Sequence, residues 1–293
     1  MSPRLRFGLR SLPLPRGAAG KHFFADDDTL RRLARVFDWL AAEPGLAVLT
    51  GEPGVGKTCA LRHLCALLPR PAHRVLYLAD TAVRPTTLYR MLAAELGLRP
   101  GSRSVLLTDI KRAATELVDE RGVQPVLLVD DAHLLHDDIL RELAVLLNFD
   151  LDGRDLLTVW LIGHPLLERR LQMHAHAALA QRVVHYVRLA PKTDRAVFDA
   201  MIAHAMSAAG ALTPLLSDAA TALLFRASRG VPRVAAHLLR SALFLADERG
   251  QNDLDEPILL AAIDALRITP GTNNPASSAD PIPRTQSGTN PRK

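Results

Sequence analysis

The chain has 293 residues, 48% of them hydrophobic and 23% charged, with a formal net charge of +5, which is enough apolar material for one large domain or two small ones. No stretch approaches the roughly 18 uninterrupted apolar residues of a membrane span, and Pro and Arg interrupt the N-terminus where a signal peptide needs an apolar core. These features predict a cytoplasmic protein with no membrane segment.

Read in chain order, residues 1–21 contain Arg4, Arg6, Arg10, Arg16 and Lys21 and no acid, and are expected to form a basic N-terminal arm suited to a polyanion. Phe23-Phe24 and Asp26-Asp27-Asp28 lead into a helix with Leu30, Leu33, Val36, Phe37 and Leu40 at helical spacing. Glu43-Pro44-Gly45 ends it, and the apolar run Leu46 to Leu49 predicts a strand. A second strand is predicted over residues 74–79. Helices are predicted over 85–96 and 104–120, split by Arg99-Pro100-Gly101. A buried strand follows at 125–129, a helix at 137–148 and a strand at 156–162. A helix reaching about Arg182 and a last strand at 183–189 complete the alternation. Alternating strands and helices imply a parallel sheet covered on both faces. From Thr193 the pattern is helical only, broken at Gly210, at residues 229–232 and at residues 250–253. The last segment, rich in Pro, Ser, Thr, Asn and Gly, predicts a disordered polar tail. There is no internal repeat. Low aromatic content with abundant Leu and Ala favours helices. Cys59 and Cys65 fall on different faces of one predicted helix, without a zinc-ligand pattern, and are expected to be small core residues.

The densest chemical signal is Gly51-Glu52-Pro53-Gly54-Val55-Gly56-Lys57-Thr58. This is the phosphate-binding G-x-x-x-x-G-K-[ST] pattern, set between a predicted strand and a helix that begins with Cys59. Backbone N–H groups of such a loop, with the positive end of the following helix, make a concave anion site. Lys57 is placed to reach the β- and γ-phosphates of ATP, and the Thr58 hydroxyl to ligate Mg²⁺. The second signal is Pro125-Val126-Leu127-Leu128-Val129-Asp130-Asp131, an apolar strand ending in two acids where an open α/β sheet binds ligands. Asp130 is the candidate for holding Mg²⁺ and Asp131 for polarising the attacking water.

These motifs, with Gly163-His164-Pro165-Leu166 and Gly230-Val231-Pro232-Arg233, resemble those of AAA+ ATPases. Within that class they are similar to bacterial ATPases of the general-secretion-pathway A type, which share a pattern with transposition ATPases of the TniB, TnsC and Mu B class. The resemblance covers about residues 7–265. It implies an α/β fold: a P-loop AAA+ three-layer parallel-sheet domain over residues 22–191, a small all-helical lid over 192–266, and the tail over 267–293. It also implies roles by position. His164 is the polar sensor of the γ-phosphate, and Arg233 the lid arginine over the nucleotide. Arg182 is the arginine finger reaching a neighbouring subunit, with Arg169 and Arg170 as rivals. The departure from the family pattern is Asp131 in place of the usual Glu, which implies slow or partner-dependent hydrolysis. The reading put first is a regulator of transposition that assembles with ATP on double-stranded DNA as a homo-oligomeric ring or filament. It would recruit or activate a DDE-type transposase. Arg84, Arg103, Lys111 and Arg112 are its candidate DNA contacts. The alternatives are a secretion-pathway assembly ATPase and a nucleotide-gated signalling or defence switch.

Overall fold

The computed structural model describes residues 6–79, 83–99, 101–149 and 153–268. Arg4 of the expected arm, and the expected tail from residue 269 onward, lie outside the described residues.

Five strands form one parallel sheet: β1 (Leu46–Gly51), β2 (His73–Leu78), β3 (Gln124–Val129), β4 (Thr158–Gly163) and β5 (Val183–Leu189), in the order β2-β3-β4-β1-β5. The three central strands are apolar along their length because both faces are covered. On one face Leu46, Val48, Leu127, Val129, Val159 and Leu161 join one apolar cluster. On the other, Ala47, Leu49, Val126, Leu128, Trp160 and Ile162 join a second. The helices α1 (Asp28–Ala42) and α2 (Lys57–Leu67) cover the second face. The N-terminus of α1 is set by Asp27, whose carboxylate accepts from the Leu30 amide at 3.0 Å. From α1, Leu33, Phe37 and Leu40 are buried there, each contributing about 1.5–3 kcal/mol. The first face is covered by α3 (Pro85–Glu95), α4 (Arg103–Asp119), α5 (Asp137–Leu146), α6 (Leu166–Leu171) and α7 (Ala177–Ala180). This is the three-layer α/β architecture that the alternation implied.

Two details differ from the sequence expectation. The single helix expected to reach Arg182 is α6, a 3-10 turn at His174–His176 and α7. Leu156 and Leu157, expected to open the fourth strand, precede it as buried residues, and pairing with β3 starts at Thr158. Cys65 lies in α2, half-buried, and burial pushes its thiol up to about 12, the behaviour of an inert packing residue.

The second body is four helices: α8 (Arg195–Ala209), α9 (Asp218–Ser228), α10 (Pro232–Glu248) and α11 (Glu256–Ala265). Asp194, Ser217 and Asp255 cap α8, α9 and α11 through their side chains. Part of the expected basic arm packs onto this bundle. Phe7 and Leu9 are buried in its core, and the Arg10 amide donates to the Ala209 carbonyl at 2.8 Å. Two apolar residues between the arginines decide this: burying them outweighs leaving the segment in water. The chain then crosses to the first body. There the Gly20 amide donates to His63 Nδ1 at 3.1 Å, and Phe23 stacks on the His63 ring.

Candidate nucleotide site

In the sheet, β1, β4 and β3 are consecutive, so their C-terminal ends bring the P-loop, His164 and Asp130 side by side at the strand spacing of about 5 Å. Gly54 sits at φ +89, where L side chains are strained. A Cβ there would come within 2.8 Å of Arg233 Cβ. Glycine is therefore required twice over at this position, by backbone conformation and by the close approach of α10. The Arg233 amide donates to the Gly54 carbonyl at 3.2 Å. The first turn of α10 is thus docked directly on the P-loop.

Lys57 folds back on the loop and donates to the carbonyls of Gly51 at 2.7 Å and Glu52 at 3.2 Å. Burial pushes its ammonium below the ordinary lysine value; Asp130 and Asp131 pull the other way, and Arg233 adds to the lowering. The Arg233 charge therefore bears on the same site as Lys57, and a polyanion would relieve the repulsion between them.

Asp130 is 8% exposed and its carboxylate accepts three hydrogen bonds. Thr58 Oγ1 and the Tyr77 hydroxyl donate to Oδ2 at 2.8 and 2.9 Å, and the Asp131 amide donates to Oδ1 at 2.9 Å. Burial and the bond to Asp130 push the Tyr77 phenol up to about 12, so it stays a donor. A carboxylate oxygen and a hydroxyl oxygen within one hydrogen bond of each other, beside a phosphate loop, are the hard oxygen donors Mg²⁺ takes together with substrate phosphates. The residues present fit that ion, and Thr58 and Asp130 would hold it.

Asp131 has φ +47 and ψ +35, and its carboxylate is 60% exposed, 3.9 Å from His133 Nδ1. This left-handed backbone is one that Asp and Asn tolerate far better than longer side chains. That gives a local reason for Asp where the resembled family usually has Glu. His164 Nδ1 accepts from the Leu166 amide at 3.2 Å, so the ring proton sits on Nε2, which donates to Glu52 Oε2 at 3.1 Å. The end of β4 is thereby tied to the P-loop. Behind it, the buried Thr50 hydroxyl donates to Glu168.

The family described as an AAA domain matches residues 41–171. The chain carries an AAA+ ATPase domain. It is 30% identical over 251 residues to general secretion pathway protein A of Aeromonas hydrophila, a match covering 85% of this chain and 45% of that protein. The chain thus spans less than half the length of that relative. The fold is similar to Cdc6p from Pyrobaculum aerophilum (TM-score 0.65, 22% identity, 82% of this chain and 67% of that one). It is also similar to Drosophila ORC bound to DNA (TM-score 0.67, 17% identity, 91% and 65%), and to a Thermotoga maritima RuvB mutant (TM-score 0.59, 18% identity, 86% and 73%).

In this AAA+ domain the remaining expected site residues are dispersed. Arg182 follows α7 and lines an open groove with Lys111, Arg141 and Leu179; no P-loop residue lines that groove. Of its rivals, Arg170 is committed internally, donating to the His133 carbonyl at 2.8 Å and to Asp137 at 2.5 Å. Among the expected DNA contacts, Arg103 is paired with Glu142, which also accepts from Tyr89 at 2.5 Å. Lys111 donates to the Asn148 carbonyl at 2.5 Å, and Arg112 pairs with Asp109 at 3.1 Å. Arg84 is exposed and has no ion pair among the described residues. Sequence reasoning missed Tyr77, Thr50, Glu168 and Lys192, whose partners lie far along the chain and leave no local pattern.

Proposed function

We propose that this protein binds ATP with Mg²⁺ at the seam between its α/β core and its lid, hydrolyses it, and uses the nucleotide state to set the angle between the two bodies. The observation that carries this reading is the docking of α10 on the P-loop through Arg233 and Gly54. A ligand that fills the loop lies beside Arg233, whose charge bears on Lys57.

In this reading the loop amides and Lys57 hold the β- and γ-phosphates, Lys57 exchanging its two carbonyl partners for phosphate oxygens. Thr58 and Asp130 hold Mg²⁺, which neutralises charge on the transferred phosphoryl group. The exposed Asp131 carboxylate accepts a proton from the attacking water. The Nε2–H of His164 leaves Glu52 for the γ-phosphate. Arg233 closes the lid side, and Arg182 acts on the site of the next subunit in a homo-oligomer. Asp131→Asn is expected to cut phosphate release by about a hundredfold while the affinity for Mg·ATP stays within about threefold. Equal turnover in that variant would remove Asp131 from the chemistry.

For the partner, 30% identity to general secretion pathway protein A over 85% of this chain supports the reading as an ATPase of the secretion-pathway-A type. No helix among the described residues is long and apolar enough to cross a membrane. The reading as a DNA-assembled transposition regulator with a DDE-type transposase draws support from the fold shared with DNA-bound Drosophila ORC and from exposed Arg84. The internal pairing of Arg103, Lys111 and Arg112 weighs against it. Duplex-DNA binding with ATP, ADP or no nucleotide across a salt series separates the two. ATP-dependent binding that weakens steeply with salt favours DNA, and no binding favours the secretion-type role.

A further inference from the structure

The passage from core to lid runs through residues 190–194, between β5 and α8, and contains a buried cation. Lys192 is 8% exposed, and its Nζ lies 2.9 Å from Asp27 Oδ2, itself largely buried. The other Asp27 oxygen caps α1 by accepting from Leu30. On its backbone side, the Lys192 amide donates to the Gly230 carbonyl at 2.9 Å. Gly230, at φ +69, lies so close that a Cβ would fall 2.1 Å from the Lys192 carbonyl oxygen. Gly230 opens the turn that delivers Val231, Pro232 and Arg233 into α10. The Arg233 amide then donates to the Gly54 carbonyl at 3.2 Å, and a Cβ on Gly54 would come 2.8 Å from Arg233 Cβ and 3.1 Å from Val231 Cγ1. An unbroken line of contacts therefore leads from the N-terminus of α1, through Lys192, to the phosphate loop.

A buried ion pair is a poor way to gain stability, because desolvating both charges offsets most of their attraction. Such a pair can instead fix one arrangement among several, since either charge left alone in the interior is costly. Here the arrangement it fixes is the placement of the lid turn. We propose that Lys192 is a positioning residue: held on Asp27, it sets the Gly230–Arg233 turn against Gly54 and so presents Arg233 to the nucleotide. This rests on the reading of Arg233 as the lid contact for ATP, and it adds that the core–lid linker determines how well that contact is made.

The test compares Lys192→Met, Lys192→Arg, Asp27→Asn, the double variant Asp27→Asn/Lys192→Met and Arg233→Ala with the unmodified protein. Circular dichroism establishes that each is folded. Asp27→Asn preserves volume and retains an oxygen to cap α1, so it serves if Lys192→Met does not fold. Two readouts are taken: equilibrium affinity for a fluorescent ATP analogue with Mg²⁺, and the core-to-lid distance distribution between paired spin labels. Lys192→Met and Asp27→Asn are expected to weaken affinity by about two- to thirtyfold and to broaden the distance distribution. Lys192→Arg is expected to retain both properties, and the double variant to lose no more than the worse single one. A folded Lys192→Met or Asp27→Asn with unchanged affinity and distances, beside a weakened Arg233→Ala, would overturn the proposal alone. Unchanged affinity in Arg233→Ala would overturn the reading beneath it.

Discussion

The rim of the P-loop and the basic residues of α4 differ in what their charges are doing. At the rim, Lys57 rests on two carbonyls of its own loop, and Asp130 collects three donors around a carboxylate 8% exposed. Lys57, Arg233, Asp130 and Asp131 influence one another there. On α4, Arg103, Lys111 and Arg112 are each tied to a separate partner. Lys57 and Arg233 converge on one loop, and a bound polyanion would add to the relief that Asp130 and Asp131 already give Lys57. Charges already paired on a surface imply only solubility and modest stability.

The strongest way to break this comparison is Lys57→Ala. Removing two charge-assisted contacts to phosphate, each about 1.5–3 kcal/mol, is expected to weaken ATP binding by at least about a hundredfold in a titration calorimeter. Comparable affinity in the variant would mean that the rim is not a phosphate site. A smaller effect is expected from Gly54→Ala. Its Cβ meets Arg233 Cβ at 2.8 Å, at φ +89, and strain of about 1–3 kcal/mol should fall on the core–lid seam. Affinity should drop while the secondary-structure signal of both bodies is retained.

Asp27 sharpens the comparison through pH. Burial alone would raise its carboxyl, but the bonds from Lys192 and from the Leu30 amide outweigh that and hold it below the ordinary carboxylate value. Because its folded pKa is depressed, its stabilisation is complete above the unfolded value of about 3.9. It is lost as pH falls through the folded value. The melting-temperature difference between the protein and Asp27→Asn should be constant from about pH 8 to pH 5 and shrink below about pH 4. The smallest effect belongs to α4. Arg103→Ala should cost about 1 kcal/mol or less of stability in a urea titration, because Arg103 is half-exposed and Glu142 keeps its bond from Tyr89. It should leave duplex-DNA affinity unchanged; a clear loss of DNA binding would return Arg103 to the list of contacts.

The sheet was legible because central strands must be apolar on both faces: runs such as Val126 to Val129 and Val159 to Ile162 have little alternative use. The P-loop was legible because its chemistry is carried by backbone conformation, which restricts residue types at fixed spacing over eight positions. What escaped was pairing at long range. Tyr77 meets Asp130 across 53 residues, and Thr50 meets Glu168 across 118. Arg103 meets Glu142 across 39, so an arginine that looks available in sequence is spoken for in space. The packing of the N-terminal segment was hidden for a related reason. Its five basic residues dominate its composition, while Phe7 and Leu9 decide where it packs.

The central claim is that one nucleotide holds the core and the lid together. Hydrogen–deuterium exchange with and without Mg·ATP tests it most directly, followed at the amides of residues 51–58 and 231–235. The account predicts that both segments gain protection together, at the same ATP concentration. Protection confined to residues 51–58, with residues 231–235 unchanged, would contradict it.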